Sequence, residues 1–193
     1  MTVSKVEAVL EAYQRTQLPV ATHIGNQRSL MLKAWNPPQR GYFKVNVDAA
    51  TNSEKQTAGL RAVIRDEARN VIAAAVKVSK FYRDVFSAEA EAIEWGLQLA
   101  GNACIESLIV ESYAQEAVKL VNNSRGYRSE IFWTISEVQR VLKSFSSVYV
   151  QYAHRSCNVI AHSLAKLALE KLKSIVWMGL CPPHLLYLSS SLS

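Results

Sequence analysis

Two acidic residues in the first half of this chain are placed so that their carboxylates could work together. Asp48 ends the alternating run Gly41-Tyr-Phe-Lys-Val-Asn-Val-Asp48, and Glu89 lies near the start of a segment rich in alanine and glutamate. Carboxylate oxygens are preferred ligands of Mg²⁺, and two such ions about 4 Å apart can stabilise the attacking and leaving oxygens of a phosphodiester. Carboxylates such as those of Asp48 and Glu89 are the type of side chain that this chemistry requires.

Two later segments carry polar side chains at the ends of further predicted elements. The run Leu108-Ile-Val-Glu-Ser112 is followed by Tyr113, and the segment His154-Arg-Ser-Cys-Asn158-Val-Ile-Ala-His162-Ser-Leu-Ala165-Lys leads into a predicted helix. In order with Asp48 and Glu89, these segments resemble the ribonuclease H-like domain, in the version found in plant proteins derived from retroelement reverse transcriptases. The resemblance covers residues 36–180.

This resemblance implies a fold, an activity and a cofactor. The implied fold is α/β and ribonuclease H-like, with a five-stranded mixed sheet (an antiparallel meander followed by two parallel strands) and helices on both faces. The implied activity is hydrolysis of RNA in RNA–DNA hybrids, assisted by Mg²⁺ or Mn²⁺. In the family the first-strand aspartate bridges both ions, which here is Asp48, and the helix glutamate binds the second ion, which here is Glu89.

The other two acidic positions of the family carry different residues in this chain. They are Tyr113 after the fourth strand and His162 in the last helix, so the implied catalytic set is Asp48, Glu89, Tyr113 and His162. A neutral phenol with a pKa of about 10 is a poor magnesium ligand, whereas imidazole can bind manganese. Two hypotheses stay open: a hybrid-cleaving nuclease weakened by its altered site, and a catalytically inactive retroelement remnant that binds nucleic acid or protein.

Residues expected to contact nucleic acid precede the last predicted helix. In the family the loop at this place helps to position the substrate, and here it contains His154, Arg155 and Asn158. Net charge alone gives little support for this partner, because residues 41–170 carry 15 Lys and Arg against 14 Asp and Glu. The basic excess lies mainly in the flanks. Since neutralised phosphates dominate affinity, we expect weak and salt-dependent binding of RNA–DNA hybrids.

Hydrophobic periodicity predicts the elements that must position these side chains. Phe43, Val45 and Val47 alternate with polar residues, which predicts a strand ending at Asp48. Later strands alternate with helices, which implies parallel pairing there. The expected strands lie at 42–48, 59–65, 71–78, 108–112 and 148–152, and the expected helices at 3–17, 87–101, 114–123, 129–145 and beyond residue 158.

The chain is predicted to hold one domain with two flanks. Residues 1–35 form a flank with a short helix and a linker, residues 36–180 form the ribonuclease H-like domain, and residues 181–193 form a tail. Three widely spaced cysteines fit neither a disulfide framework nor a zinc motif, so we expect a reducing, intracellular location, in nucleus or cytoplasm. No apolar run approaches the roughly 20 residues of a membrane span, so no membrane partner is expected.

Overall fold

A computed structural model gives the architecture of the chain and describes residues 35–80, 84–123, 129–158 and 174–179. Within these ranges, one mixed sheet contains six strands in the order β5-β4-β1-β2-β3-β6. The strands are β1 Phe43–Asn52, β2 Thr57–Arg65, β3 Val71–Lys80, β4 Ser107–Ser112, β5 Ser147–Tyr152 and β6 Ile175–Met178. The same ranges contain the helices α1 Val85–Asn102, α2 Gln115–Asn122 and α3 Ser129–Leu142.

The strands pair as the order of turns and helices in the sequence predicts. β1, β2 and β3 form an antiparallel meander, whereas β4 lies parallel to β1 and β5 lies parallel to β4. α1 connects β3 to β4, and a helical crossover of this kind lets the chain return in the same direction. The predicted α/β fold, with a meander followed by two parallel strands, is confirmed.

The sheet has one strand more than the five predicted. β6 pairs antiparallel with β3, from Met178 opposite Ala73 to Ile175 opposite Val76. The sequence predicted no strand around Trp177. Four residues are too few to display an alternating pattern, so periodicity could not reveal this strand.

Helix α1 begins two residues before its predicted start. The Asp84 carboxylate accepts a hydrogen bond from the Phe86 N–H at 3.0 Å, which satisfies one of the N–H groups that the first turn leaves open. The helix ends at Asn102, close to the predicted stop at Gly101-Asn102. Among the described helices, none is long and apolar enough to cross a membrane. The predicted helices at 3–17 and beyond residue 158, and the tail 181–193, lie outside the described residues.

The two faces of β1 differ in chemistry, although both are buried. Val45 and Val47 belong to the apolar core, where α1 packs against the sheet. Lys44, Asn46 and Asp48 point to the opposite face and are buried as well. Buried polar groups are costly unless they have partners. The polar side chains of β1 therefore require hydrogen-bonding or charged partners. Some of these partners belong to the candidate functional site.

Gly96 marks a close approach between α1 and the sheet. A Cβ at this position would lie 2.5 Å from Val47 Cγ1 and 3.1 Å from Val45 Cγ1. We expect Gly96→Ala to lower the free energy of unfolding by about 1–3 kcal/mol, because the helix must move away from the sheet. Gly101→Ala is the matched control, because its Cβ would meet nothing within 4 Å.

Helix propensity should make Gly101→Ala neutral or stabilising by up to about 1 kcal/mol. Urea unfolding of both variants measures the difference. Equal effects at the two positions would contradict the close packing at Gly96.

Candidate functional site

Asp48 lies within β1 and not at its end, so the predicted strand end was wrong. β1 continues to Asn52 because its hairpin with β2 stays paired as far as Thr57. The parallel pairing with β4 stops earlier, where Asn46 lies opposite Glu111. Asp48 therefore sits just beyond the point where the parallel ladder ends, and its side chain points to the polar face with an exposed fraction of 1%.

A buried arginine faces Asp48 from the neighbouring strand. Arg61 lies directly opposite Asp48 in the β1–β2 register, and its guanidinium forms an ion pair with the Asp48 carboxylate. The exposed fraction of Arg61 is 0%. Burial lowers the pKa of Arg61 below its ordinary value, while the Glu89 carboxylate acts in the opposite direction. A guanidinium held by a carboxylate stays protonated at neutral pH, so the site contains a fixed positive charge.

Arg61 was not among the site residues predicted from the sequence. A signal was present, because Arg61 interrupts an otherwise apolar stretch between Leu60 and Ile64. A charged residue in the middle of a buried strand needs a partner. The identity of that partner depends on strand register, which the sequence pattern alone did not provide.

Glu89 lies in the second turn of α1 and is buried, with an exposed fraction of 2%. The Tyr113 hydroxyl and the Ala49 backbone are its hydrogen-bonding neighbours. Burial raises the pKa of Glu89 to about 7, although the nearby Tyr113 hydroxyl and Arg61 guanidinium oppose the rise. Strongly perturbed carboxyl groups of this kind concentrate at functional sites.

Tyr113 follows β4 directly and is half-buried. Burial and the neighbouring Glu89 raise the pKa of Tyr113 to about 12, so the phenol is neutral at physiological pH. The guanidinium carbon of Arg155 lies 5.7 Å from its ring centroid. Three of the four predicted site residues, Asp48, Glu89 and Tyr113, thus lie around the Arg61 guanidinium. We call these four residues the Arg61 cluster.

Arg155, one of the residues predicted to contact nucleic acid, lies beside Tyr113 of this cluster. His154 and Arg155 are exposed, and a short 3₁₀ helix, Arg155–Asn158, contacts β1. Asn158 is the last residue of this short helix, and nothing is described of its side chain. His162, the fourth predicted site residue, lies outside the described residues.

Glu111 belongs to a separate polar network on the same sheet. Its carboxylate lies 2.9 Å from Lys44 Nζ, and it accepts hydrogen bonds from Asn46 Nδ2 at 2.8 Å and from Gln151 Nε2 at 3.0 Å. Both carboxylate oxygens are therefore engaged. Glu111 is held in this network and therefore does not replace the acid missing at Tyr113.

Trp35 closes this network from the amino-terminal side. The Arg65 guanidinium stacks 3.4 Å from the centroid of the Trp35 ring and donates a hydrogen bond of 2.5 Å to Asn46 Oδ1. Burial lowers the pKa of Arg65 to about 10. Trp35 is itself buried, so the last residue of the predicted flank packs on the domain.

The described residues do not fit a centre with two divalent ions. Such a centre needs several carboxylates that converge on both ions. Asp48 is already paired with Arg61, and the neutral Tyr113 offers no anionic oxygen. The ranges that the structure describes contain no cluster of three or more His, Cys, Asp or Glu that could hold a metal ion.

A comparison with known families gives one match. The family described as reverse transcriptase-like has a sequence model that matches residues 46–168. This span includes β1 to β5 from Asn46 onward and all four members of the Arg61 cluster. No curated protein matches the chain.

Solved structures of ribonuclease H domains share the fold. RNase H1 from Halobacterium salinarum NRC-1 is 16% identical, matches 67% of this chain and 98% of its own, and has a TM-score of 0.62. LC11-RNase H1 in complex with an RNA/DNA hybrid is 17% identical, with coverages of 67% and 98% and a TM-score of 0.59. A foamy viral protease-reverse transcriptase in complex with an RNA/DNA hybrid is 15% identical, with coverages of 80% and 22% and a TM-score of 0.51.

Proposed function

Because the chain belongs to the reverse transcriptase-like family and has a ribonuclease H fold, we propose that it is a ribonuclease H-like domain that binds nucleic acid. RNA–DNA hybrids are its substrate class. Its metal site is partly degenerate, so cleavage of the RNA strand is very slow or absent.

The arrangement of the Arg61 cluster carries this proposal. It joins β1, β2, the start of α1 and the residue after β4, which is where the family resemblance implies a nuclease site. Two of the implied acids, Asp48 and Glu89, are present and buried. A tyrosine takes the place of the third, and its phenol is too weak an acid to bind magnesium.

Exposed side chains beside the cluster support nucleic acid as the partner. Arg155 presents a positive charge next to Tyr113, and the adjacent His154 is also exposed. A guanidinium suits phosphate recognition because it can donate two parallel hydrogen bonds. Two of the similar structures contain RNA/DNA hybrids, which makes a hybrid duplex the appropriate probe.

We expect Arg155→Gln to weaken binding of an RNA–DNA hybrid and to reduce its salt dependence. Loss of one phosphate contact should make the slope of log affinity against log salt shallower by about 0.9. Arg140→Gln is the matched control, because Arg140 is exposed on α3 and pairs with Glu137 away from the cluster. Fluorescence anisotropy of a labelled hybrid at several salt concentrations measures both variants.

Two results would count against this assignment. Equal salt slopes for wild type and Arg155→Gln would show that Arg155 does not contact phosphate. Failure of wild type to bind hybrid, duplex or single-stranded probes at low salt would contradict the proposed function as a whole.

An exposed aromatic pair favours a second candidate, an inactive remnant that binds a protein. Phe132 and Trp133 on α3 are 46% and 78% exposed, and their rings pack edge to face with centroids 5.7 Å apart. Exposed aromatic residues are enriched at protein interfaces. The hybrid-binding experiment separates the two candidates, because a domain of this second kind needs no affinity for nucleic acid.

A further inference from the structure

Arg61 places a positive charge where the acids of the site meet. Its guanidinium forms an ion pair with Asp48 on β1, and the negative charge of Glu89 on α1 raises the pKa of Arg61 against the effect of burial. One buried cation thus serves two acidic residues from different elements. In a nuclease site of this fold, the same neutralising task falls to divalent ions.

The position of Arg61 is held from both sides of its strand. β2 lies between β1 and β3, with Asp48 opposite Arg61 on one side and Val76 opposite it on the other. The backbone therefore cannot move without breaking both ladders. The side chain has no exposed surface, so its guanidinium is buried among the side chains of the site.

We propose that the Arg61 guanidinium takes the place of the divalent ions in this site, neutralising Asp48 and Glu89 from inside the protein and excluding Mg²⁺ and Mn²⁺. The inference deepens the proposed function and rests on its assignment of the two acids. Both acids are buried, and a buried carboxylate is costly without a cation nearby, which Arg61 provides.

Electrostatics makes the two kinds of cation mutually exclusive. A divalent ion beside Asp48 would lie next to the guanidinium, and like charges repel strongly where water is excluded. An ion that took Asp48 from Arg61 would leave a buried guanidinium without its carboxylate, which is costly. The charge balance that a metal would provide is already present in the folded chain, so nucleic-acid binding at this site needs no divalent ion.

A Mn²⁺ titration of the full chain without nucleic acid tests this inference. The fall of the free Mn²⁺ signal in electron paramagnetic resonance reports bound ion. We expect wild type and Glu89→Gln to give the same binding curve, because Glu89 takes part in no Mn²⁺ site. A saturable site in wild type that Glu89→Gln removes would overturn the proposal, whatever the affinity for nucleic acid.

Variants at position 61 test whether Arg61 itself excludes Mn²⁺. Arg61→Ala removes the cation and leaves space, so it should bind Mn²⁺ at least about tenfold more tightly than wild type, in a manner that depends on Glu89. Arg61→Lys retains a positive charge and should bind no more Mn²⁺ than wild type. Folded Arg61→Ala protein without any gain in Mn²⁺ affinity would overturn the exclusion by Arg61. If circular dichroism shows that Arg61→Ala is unfolded, the wild-type, Glu89→Gln and Arg61→Lys curves decide the question.

Discussion

Cleavage of an RNA–DNA hybrid in magnesium should rise by about 100-fold or more, equivalent to about 2.7 kcal/mol of activation barrier, when the acids are restored and Arg61 is removed. The variant combines Tyr113→Asp and His162→Asp with Arg61→Ala. Tyr113→Asp replaces a neutral phenol next to Glu89, and Arg61→Ala releases Asp48 from its ion pair. His162→Asp supplies the acid that the family resemblance implies at that position.

Cleavage of one labelled hybrid by matched variants isolates the contribution of each change. The double variant Tyr113→Asp with His162→Asp, in which Arg61 is kept, should cleave far more slowly than the triple variant. Adding Asp48→Asn to the triple variant should abolish the gain. Robust magnesium-dependent cleavage by wild type, lost in Asp48→Asn, would show that the wild-type site is a working nuclease centre.

Arg61→Met should lower the free energy of unfolding by about 3–5 kcal/mol, because it leaves the Asp48 carboxylate buried without its cation. Methionine keeps much of the side-chain volume, so the loss reports mainly the charge. Lys119→Met is the surface control, since Lys119 forms an exposed pair with Glu116 on α2. Breaking an exposed pair should cost less than about 1 kcal/mol.

A double-mutant cycle at the buried pair tests the cause of this loss. Arg61→Met combined with Asp48→Asn removes both charges, so much of the stability should return, and the two effects should be far from additive. Guanidinium chloride unfolding of wild type, both single variants and the double variant gives the coupling energy. Additive losses at Arg61 and Asp48 would contradict a direct pairing between them.

Local periodicity was sufficient to predict the elements that frame the site. The alternation around Val45 and Val47 predicted β1 with both valines on its apolar face, and the alanine-rich segment 87–101 predicted α1 within two residues of its start. Both periods depend only on consecutive residues, so they can be recognised in the sequence without knowledge of tertiary contacts. The helices between later strands implied parallel pairing, which the β1–β4 and β4–β5 ladders confirm.

The errors concern features that depend on pairing between distant residues. Asp48 was expected at a strand end, but the hairpin with β2 extends β1 to Asn52. The short strand β6 exists because β3 offers it an edge, and its own four residues show no period. Both features follow from hydrogen bonds to a partner strand and therefore leave little trace in local sequence.

The sequence by itself determined the order of the elements from β1 to β5, because residue type and local period are written in the chain. The family resemblance supplied Asp48, Glu89 and Tyr113 as predicted site residues. Only the tertiary structure decided which side chain these residues surround, and that side chain is Arg61. Strand register places Arg61 opposite Asp48, and the packing of α1 against the sheet buries Glu89 beside Arg61 and Tyr113. Register and burial depend on the whole folded sheet. They determine whether the two carboxylates pair with a metal ion or with a guanidinium.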